Sequence, residues 1–265
     1  MFDRSVSLSM LCYPSLDLAG FCAEARTREV QTVSLNARSL TAVGVDDAGR
    51  LLADNGLRVS ALVGGVAFDL AAPSSWEASR ALLDRTVEAA EAVGAPSVYL
   101  VSGARPADRW GDALAVFADA VGPSVEQARD HGVRIAIEPT NWLYADVSFI
   151  HTLTDAIELA ELAGTSICLD LFHVWTELHF DDLARRAAPH ICHVQLSDYV
   201  LGDRSLPSRA VPGDGVVPLE RLLARIRDVG YDGPFDLELS GPRIDAEGHS
   251  DAAGRGLAWL AHRVR

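Results

Sequence analysis

With 265 residues, 49% of them hydrophobic, the chain holds enough apolar material for one large core. A formal net charge of −14 with no basic run repels phosphate backbones and anionic lipid, so nucleic acid is not an expected partner. No stretch reaches the ~20 uninterrupted apolar residues of a membrane helix, which argues against a membrane partner. The chain contains no lysine, which removes Schiff-base catalysis and lysine general bases from consideration. The N-terminal Met-Phe-Asp-Arg-Ser is not a basic leader followed by an apolar run, and Cys12, Cys22, Cys168 and Cys192 form no CxxC pair. Reduced thiols and a cytoplasmic location are expected.

Short apolar strands alternate with longer amphipathic stretches eight times. In chain order the strand candidates are Val6–Leu11, Thr32–Leu35, Val59–Val63, Ser97–Val101, Arg134–Glu138, Ser166–Asp170, Ile191–Gln195 and Phe235–Leu239. Between them, apolar residues recur at three- and four-residue spacing, as in Ala78–Val93, Ala113–Asp130 and Leu219–Val229, which predicts helices. Gly56, Gly94, Gly132, Gly164 and Gly230 each follow such a segment, where a left-handed residue ends a helix. Eight β/α units in about 250 residues is the arithmetic of an α/β fold of the (β/α)8 TIM-barrel type, a single domain over residues 1–265. A doubly wound open sheet would also alternate, but it would show a Gly-rich phosphate turn after its first strand. Here that strand runs into Leu-Cys-Tyr-Pro-Ser.

Four of the last strands end in an oxygen-bearing side chain: Glu138, Asp170, Gln195 and Glu238. At the C-terminal mouth of a barrel these side chains converge on one point. Three buried carboxylates require a positive partner, and a divalent metal ion is the first candidate. Buried arginines in a structural ion-pair network are the alternative. An all-oxygen set of two Glu, one Asp and one amide favours Mn2+ or Mg2+, with Co2+ as a further candidate, over zinc. His193 lies two residues before Gln195 on the same face, one layer deeper, and ranks behind it as a ligand. Asp198 is read as a brace for the loop after strand seven. The Phe-Asp-Leu-Ala-Ala-Pro segment, 68–73, is a candidate to fold over the barrel mouth.

On these motifs the chain resembles the xylose isomerase-like TIM-barrel superfamily of sugar isomerases, epimerases and related lyases, over essentially its whole length. Glu138 in Ile-Glu-Pro-Thr-Asn looks like that family's strand-five ligand. Asp170 and His173 in Asp-Leu-Phe-His are similar to its Asp-x-x-His. Gln195 stands first in Gln-Leu-Ser-Asp, where many members carry His-x-x-Asp. This departure resembles the hydroxypyruvate isomerase branch and some 3-dehydroshikimate dehydratases. Glu238 looks like the strand-eight ligand. Arg209 in Arg-Ala-Val-Pro-Gly-Asp-Gly resembles a substrate-binding arginine of ketose epimerases, on a loop that can close over the site.

The resemblance implies one divalent ion held by Glu138, Asp170, Gln195 and Glu238. It also implies that Glu138 and Glu238 act as proton carriers, with His173 as a donor to a substrate oxygen or an acid. Substrate contacts would come from His173, Arg209, Asn141 and Trp175. The expected activity is isomerisation or epimerisation of a small polyhydroxy keto compound, by proton abstraction beside a metal-bound carbonyl through an enediolate. The alternative is a lyase on the same scaffold: a 3-dehydroshikimate- or keto-inositol-type dehydratase, or 3-keto-glycoside cleavage. A DNA-repair nuclease is disfavoured, because strands two and four end in Ser-Leu-Asn-Ala and Tyr-Leu-Val-Ser, without histidine ligands. A non-catalytic binding barrel is the third class. The expected partner is a small-molecule carbonyl substrate, and a homo-oligomer stays open.

Overall fold

The computed structural model describes residues 5–106 and 109–264. Eight parallel strands close into a barrel: β1 (Val6–Ser9), β2 (Thr32–Asn36), β3 (Arg58–Val63), β4 (Ser97–Leu100), β5 (Arg134–Ile137), β6 (Ser166–Asp170), β7 (Ile191–Leu196) and, after a two-stranded excursion, β10 (Phe235–Leu237). Their order around the barrel is β1-β10-β7-β6-β5-β4-β3-β2, so it is an (α/β) TIM barrel with helices outside. The excursion between β7 and β10 is a short antiparallel ladder of β8 (Asp198–Tyr199) and β9 (Arg209–Ala210). All eight predicted strands are present, with ends shifted by up to two residues. The largest trims are in the first strand, where Met10–Cys12 turns into a 3-10 helix, and in the last.

The two faces of each strand do different jobs. Ile135, Ile137, Ile167, Leu169, Val194, Leu196, Phe235 and Leu237 point outward and fill the layer between barrel and helices. On the inward face Ala61, Tyr99, Ala136 and Cys168 form a separate inner cluster, with buried serines beside it. Ser7 and Ser60 meet there by their hydroxyls at 3.0 Å. Outward apolar burial therefore supplies the stabilisation, and the barrel interior is left free for polar chemistry. The long helices Trp76–Ala92, Trp110–Asp130 and Leu219–Asp228 start and stop within three residues of the periodic segments read from sequence. The five glycines read as helix ends all adopt positive φ.

The 68–73 segment, in the connection after β3, is packed down onto its neighbours. Phe68 is buried and packs edge-on against Phe117, with ring centroids 6.3 Å apart, and the Trp76 indole donates to Asp69 O at 2.8 Å. Gly103, at φ +83, lets the Phe68 carbonyl approach to within 2.5 Å of where a Cβ would stand. Gly103→Ala combines a left-handed backbone with a backbone clash. It is expected to destabilise the fold by about 2–4 kcal/mol, read as a fall in the urea midpoint at unchanged slope. A shift below about 0.5 kcal/mol would show that the 68–73 segment moves aside freely.

Candidate functional site

The barrel ladder fixes the acidic side chains through their backbones. Glu138 follows β5 directly and its N–H donates to Leu100 O at 3.0 Å. Glu238 follows β10 directly and its N–H donates to Leu196 O at 3.1 Å. Asp170 closes β6 and pairs in register with Gln195 on β7. Because side chains alternate along a strand, these positions share the inward face. Asp170 also caps the short helix that follows it: its Oδ1 accepts from the Phe172 N–H at 2.9 Å. That helix carries His173 back over the cluster, with Nε2 at 3.6 Å from both Glu138 Oε1 and Asp170 Oδ2. Ligand atoms of Glu138, Asp170 and His173 all lie within 4.8 Å of one another, a grouping able to surround a metal ion.

Arg209 is where the structure departs most from the sequence reading. It is 5% exposed and sits in the β8–β9 ladder rather than on a loop free to close. Its Nη2 lies 2.6 Å from Asp170 Oδ2 and 2.8 Å from Glu238 Oε1. Its Nη1 donates to Ser197 Oγ at 3.1 Å, and the guanidinium lies 4.7 Å from the centroid of the Phe172 ring. Asp198 supports this placement. Its carboxylate accepts four backbone N–H groups, from Tyr199, Gly213, Gly215 and Val217, at 2.8–3.0 Å. Those bonds pin the turn beyond Arg209 to the base of the ladder. The brace read from sequence is thus a brace for the arginine. At Gly215 a Cβ would stand 2.2 Å from Tyr199 O, which is why the turn can press so close.

Gln195 is fully buried and every polar atom of its amide is committed. Cys168 Sγ donates to its Oε1 at 2.9 Å, while its Nε2 donates to Tyr99 Oη at 3.0 Å and to Glu238 Oε2. Tyr99 and Cys168 can each donate or accept, so reversing the amide keeps those two partners but sets its carbonyl against Glu238 Oε2, an arrangement that needs a proton or a cation between the two oxygens. One layer deeper, His193 Nε2 faces Asp236 Oδ2 at 3.3 Å, and Ser34 donates to that same oxygen at 2.7 Å. His193 is therefore turned toward Asp236. Asp236, Tyr99 and Ser197 escaped the sequence reading. Asp236 carried a usable signal, two residues before Glu238 on the same strand face.

His173 turns its Nε2 toward the carboxylates. Its Nδ1 accepts the Asn141 backbone N–H at 3.2 Å and lies 3.0 Å from the Asn141 side-chain nitrogen. A ring nitrogen that accepts there leaves the proton of neutral imidazole on Nε2, facing Glu138 and Asp170. Although His173 lies within ligand distance, this tautomer presents N–H rather than a lone pair. Asn141 acts on His173 and caps the 3-10 turn Trp142–Tyr144 through its Oδ1. Trp175 stands one ring further out, tilted against Tyr199 with ring centroids 6.3 Å apart, and Tyr199 in turn meets Phe172.

Burial and mutual repulsion split the carboxylates. Burial lifts Glu138 well above the ordinary carboxyl range, with Glu238 and Asp170 adding to it. Burial likewise raises Glu238 to about 7, against the opposing charge of Arg209 and with help from Asp170 and Asp236. Asp170 is equally buried, yet Arg209, then His173 and the Phe172 N–H, hold it below the usual value. His173 is pushed down to about 4, mainly by burial, so the ring is neutral at physiological pH.

The residues fit a divalent cation. Asp170 Oδ2 is buried, and its closest partner is the Arg209 guanidinium, which it shares with Glu238. Three buried carboxylates with a single guanidinium among them form a negatively charged oxygen cluster, the arrangement a hard cation satisfies. Glu138, Asp170 and Glu238 contribute three negative charges when ionised and Arg209 returns one, leaving two for an ion to balance.

A family model described as a xylose isomerase-like TIM barrel matches residues 22–263. Among curated proteins, the 2-oxo-tetronate isomerase of Pectobacterium atrosepticum is 26% identical over 195 residues, 72% of this chain and 70% of its own. Among solved structures, a Sinorhizobium meliloti 1021 protein superposes with a TM-score of 0.90 at 22% identity, covering 99% of each chain. An L-ribulose 3-epimerase superposes with a TM-score of 0.80 at 17% identity, covering 98% of this chain and 94% of that one. At these identities the structural likeness concerns the fold.

Proposed function

Because the chain belongs to the xylose isomerase-like TIM barrel family, we propose that it is a divalent-metal-dependent isomerase or epimerase of a small polyhydroxy keto compound. The observation that carries this reading is the convergence of three buried inward carboxylates, Glu138, Asp170 and Glu238, with only one guanidinium, that of Arg209, set among them. Glu138, Asp170 and Glu238, with the Gln195 amide turned to present its carbonyl, are the groups that would hold the ion. Mn2+ and Mg2+ suit an all-oxygen set. When bound, the ion supplies positive charge beside the substrate carbonyl and so acidifies the neighbouring C–H.

The chain's own residues supply the proton handling. Glu138 on β5 and Glu238 on β10 stand three strands apart around an eight-stranded barrel, so they approach a substrate from different sides. A carboxyl poised near neutrality, as Glu238 is, can both take and return a proton at working pH. His173, held by Asn141 with its Nε2–H toward the cluster, donates to a substrate oxygen. Phe172, Tyr144 and Tyr199 wall this end of the barrel and limit water access. A related 2-oxo-tetronate isomerase supports a short hydroxylated 2-oxo compound as the substrate class.

The test is carbon-bound deuterium. With Mn2+ in D2O, a panel of 2-oxo hydroxy acids and ketoses is expected to yield one substrate that gains deuterium beside its carbonyl as its isomer appears. Loss of water from the exchanged substrate would move the assignment to the lyase alternative. Absence of bound ion by elemental analysis after Mn2+ soaking would sink the metal-dependent reading itself.

A further inference from the structure

Arg209 does something that a substrate contact alone would not do: it already holds two of the carboxylates an ion needs. Nη2 sits 2.6 Å and 2.8 Å from Asp170 and Glu238, inside a site where water screening is weak. The guanidinium is held there by design of the surroundings. Ser197 Oγ accepts from Nη1, the Phe172 ring lies beneath it, and Asp198 ties down the turn beyond its ladder. A cation entering between the same oxygens is repelled by this fixed positive charge and finds one of three negative charges already offset.

We propose that Arg209 sets the charge of the cation the site accepts, opposing the incoming ion at Asp170 and Glu238 so that divalent ions are taken and trivalent ones are disfavoured. This inference rests on the metal-dependent reading above. It deepens that reading by making Arg209 a specificity-determining residue. Repulsion by a fixed charge scales with the charge of the ion, so removing the guanidinium helps a trivalent ion more than a divalent one.

The experiment measures binding, without turnover. Mn2+ affinity is measured by titration calorimetry, and Tb3+ affinity by luminescence sensitised through the nearby aromatic rings. Wild type is compared with Arg209→Met, Arg209→Lys and Ser197→Ala. Methionine keeps the length and packs on Phe172 without charge. It is expected to tighten both ions and to shift the Tb3+/Mn2+ affinity ratio toward Tb3+ by on the order of tenfold or more. Lysine keeps the charge and is expected to keep a ratio close to wild type. Ser197→Ala loosens the guanidinium without deleting it and is expected to shift the ratio a few-fold the same way, which preserves the test if Arg209→Met fails to fold. An unchanged ratio in a folded Arg209→Met, or in Ser197→Ala should the former not fold, overturns the proposal. So does equal weakening of both ions, the mark of a structural role. A wild type that binds neither ion overturns the metal-dependent reading, and this inference with it.

Discussion

Glu238→Gln is expected to lower turnover by on the order of 10³-fold while leaving the barrel folded, because a positioned acid–base group commonly contributes 10²–10⁴-fold. The amide is isosteric and can still accept from Arg209 and meet Gln195, so the cluster's packing survives. It cannot carry the proton that burial keeps on Glu238 up to about pH 7. The decisive comparison is deuterium incorporation against Mn2+ content. A variant that retains bound ion but loses exchange identifies Glu238 as a proton carrier. A variant that loses both assigns it chiefly to the ion, and a loss below about tenfold would sink the base assignment. Glu138→Gln is the companion measurement. If the two carboxylates serve opposite directions of proton transfer, each variant is slowed most in a different direction of the reaction.

The second large effect is on stability. In chelator, the melting temperature is expected to fall as pH rises from 5 to 8. Glu238 keeps its proton in the folded chain until about pH 7, whereas the unfolded carboxyl releases it near 4.5. Between those values the folded state binds more protons, so stability decreases with rising pH. Glu238 alone accounts for on the order of 3 kcal/mol across that window, and Glu138, raised by the same burial, acts in the same direction. Asp170 has the opposite sign: its contribution is intact above 3.8 and is lost only as pH falls into the acid range. Mn2+ should reverse the trend, because an ion takes the ionised carboxylates and expels their protons. Its stabilisation should therefore grow from pH 5 to 8, reaching roughly 3 kcal/mol at a hundredfold excess over Kd. Calorimetric scans with and without Mn2+ check both slopes, and Glu238→Gln should flatten the chelator curve. A chelator curve that rises with pH would mean the carboxylates are ionised through the strength of their pairing with Arg209.

The strand pattern was legible because each inward acidic residue interrupts an otherwise apolar run. Ile-Ala-Ile-Glu and Ile-Cys-Leu-Asp are hard to read as anything except strands with a reason to end in a carboxylate. From sequence Arg209 reads as a loop residue, because its local context, a Pro- and Gly-rich turn, is that of an exposed loop. Nothing within ten residues of it indicates that a two-residue ladder folds it inward. Its burial comes from Asp198, whose carboxylate gathers four backbone N–H groups from both sides of the turn. Tyr99 does not stand out in the sequence, because a tyrosine in an apolar strand reads as packing. Only the closure of β4 across the barrel from β7 brings its hydroxyl to the Gln195 amide.

The sequence by itself determined the eightfold alternation, the helix ends and the inward face of each strand, since period-2 and period-3.6 patterns and glycine conformations are local properties. It also determined the stock of chemistry, carboxylates and one histidine motif without lysine. Only the tertiary structure decided which groups share the site's charge. It set Arg209 between Asp170 and Glu238, aimed His173 through Asn141 and bound the Gln195 amide to Glu238. The physical reason is that charge balance and proton affinity depend on distance and burial, and in a barrel those are fixed between strands far apart in the chain.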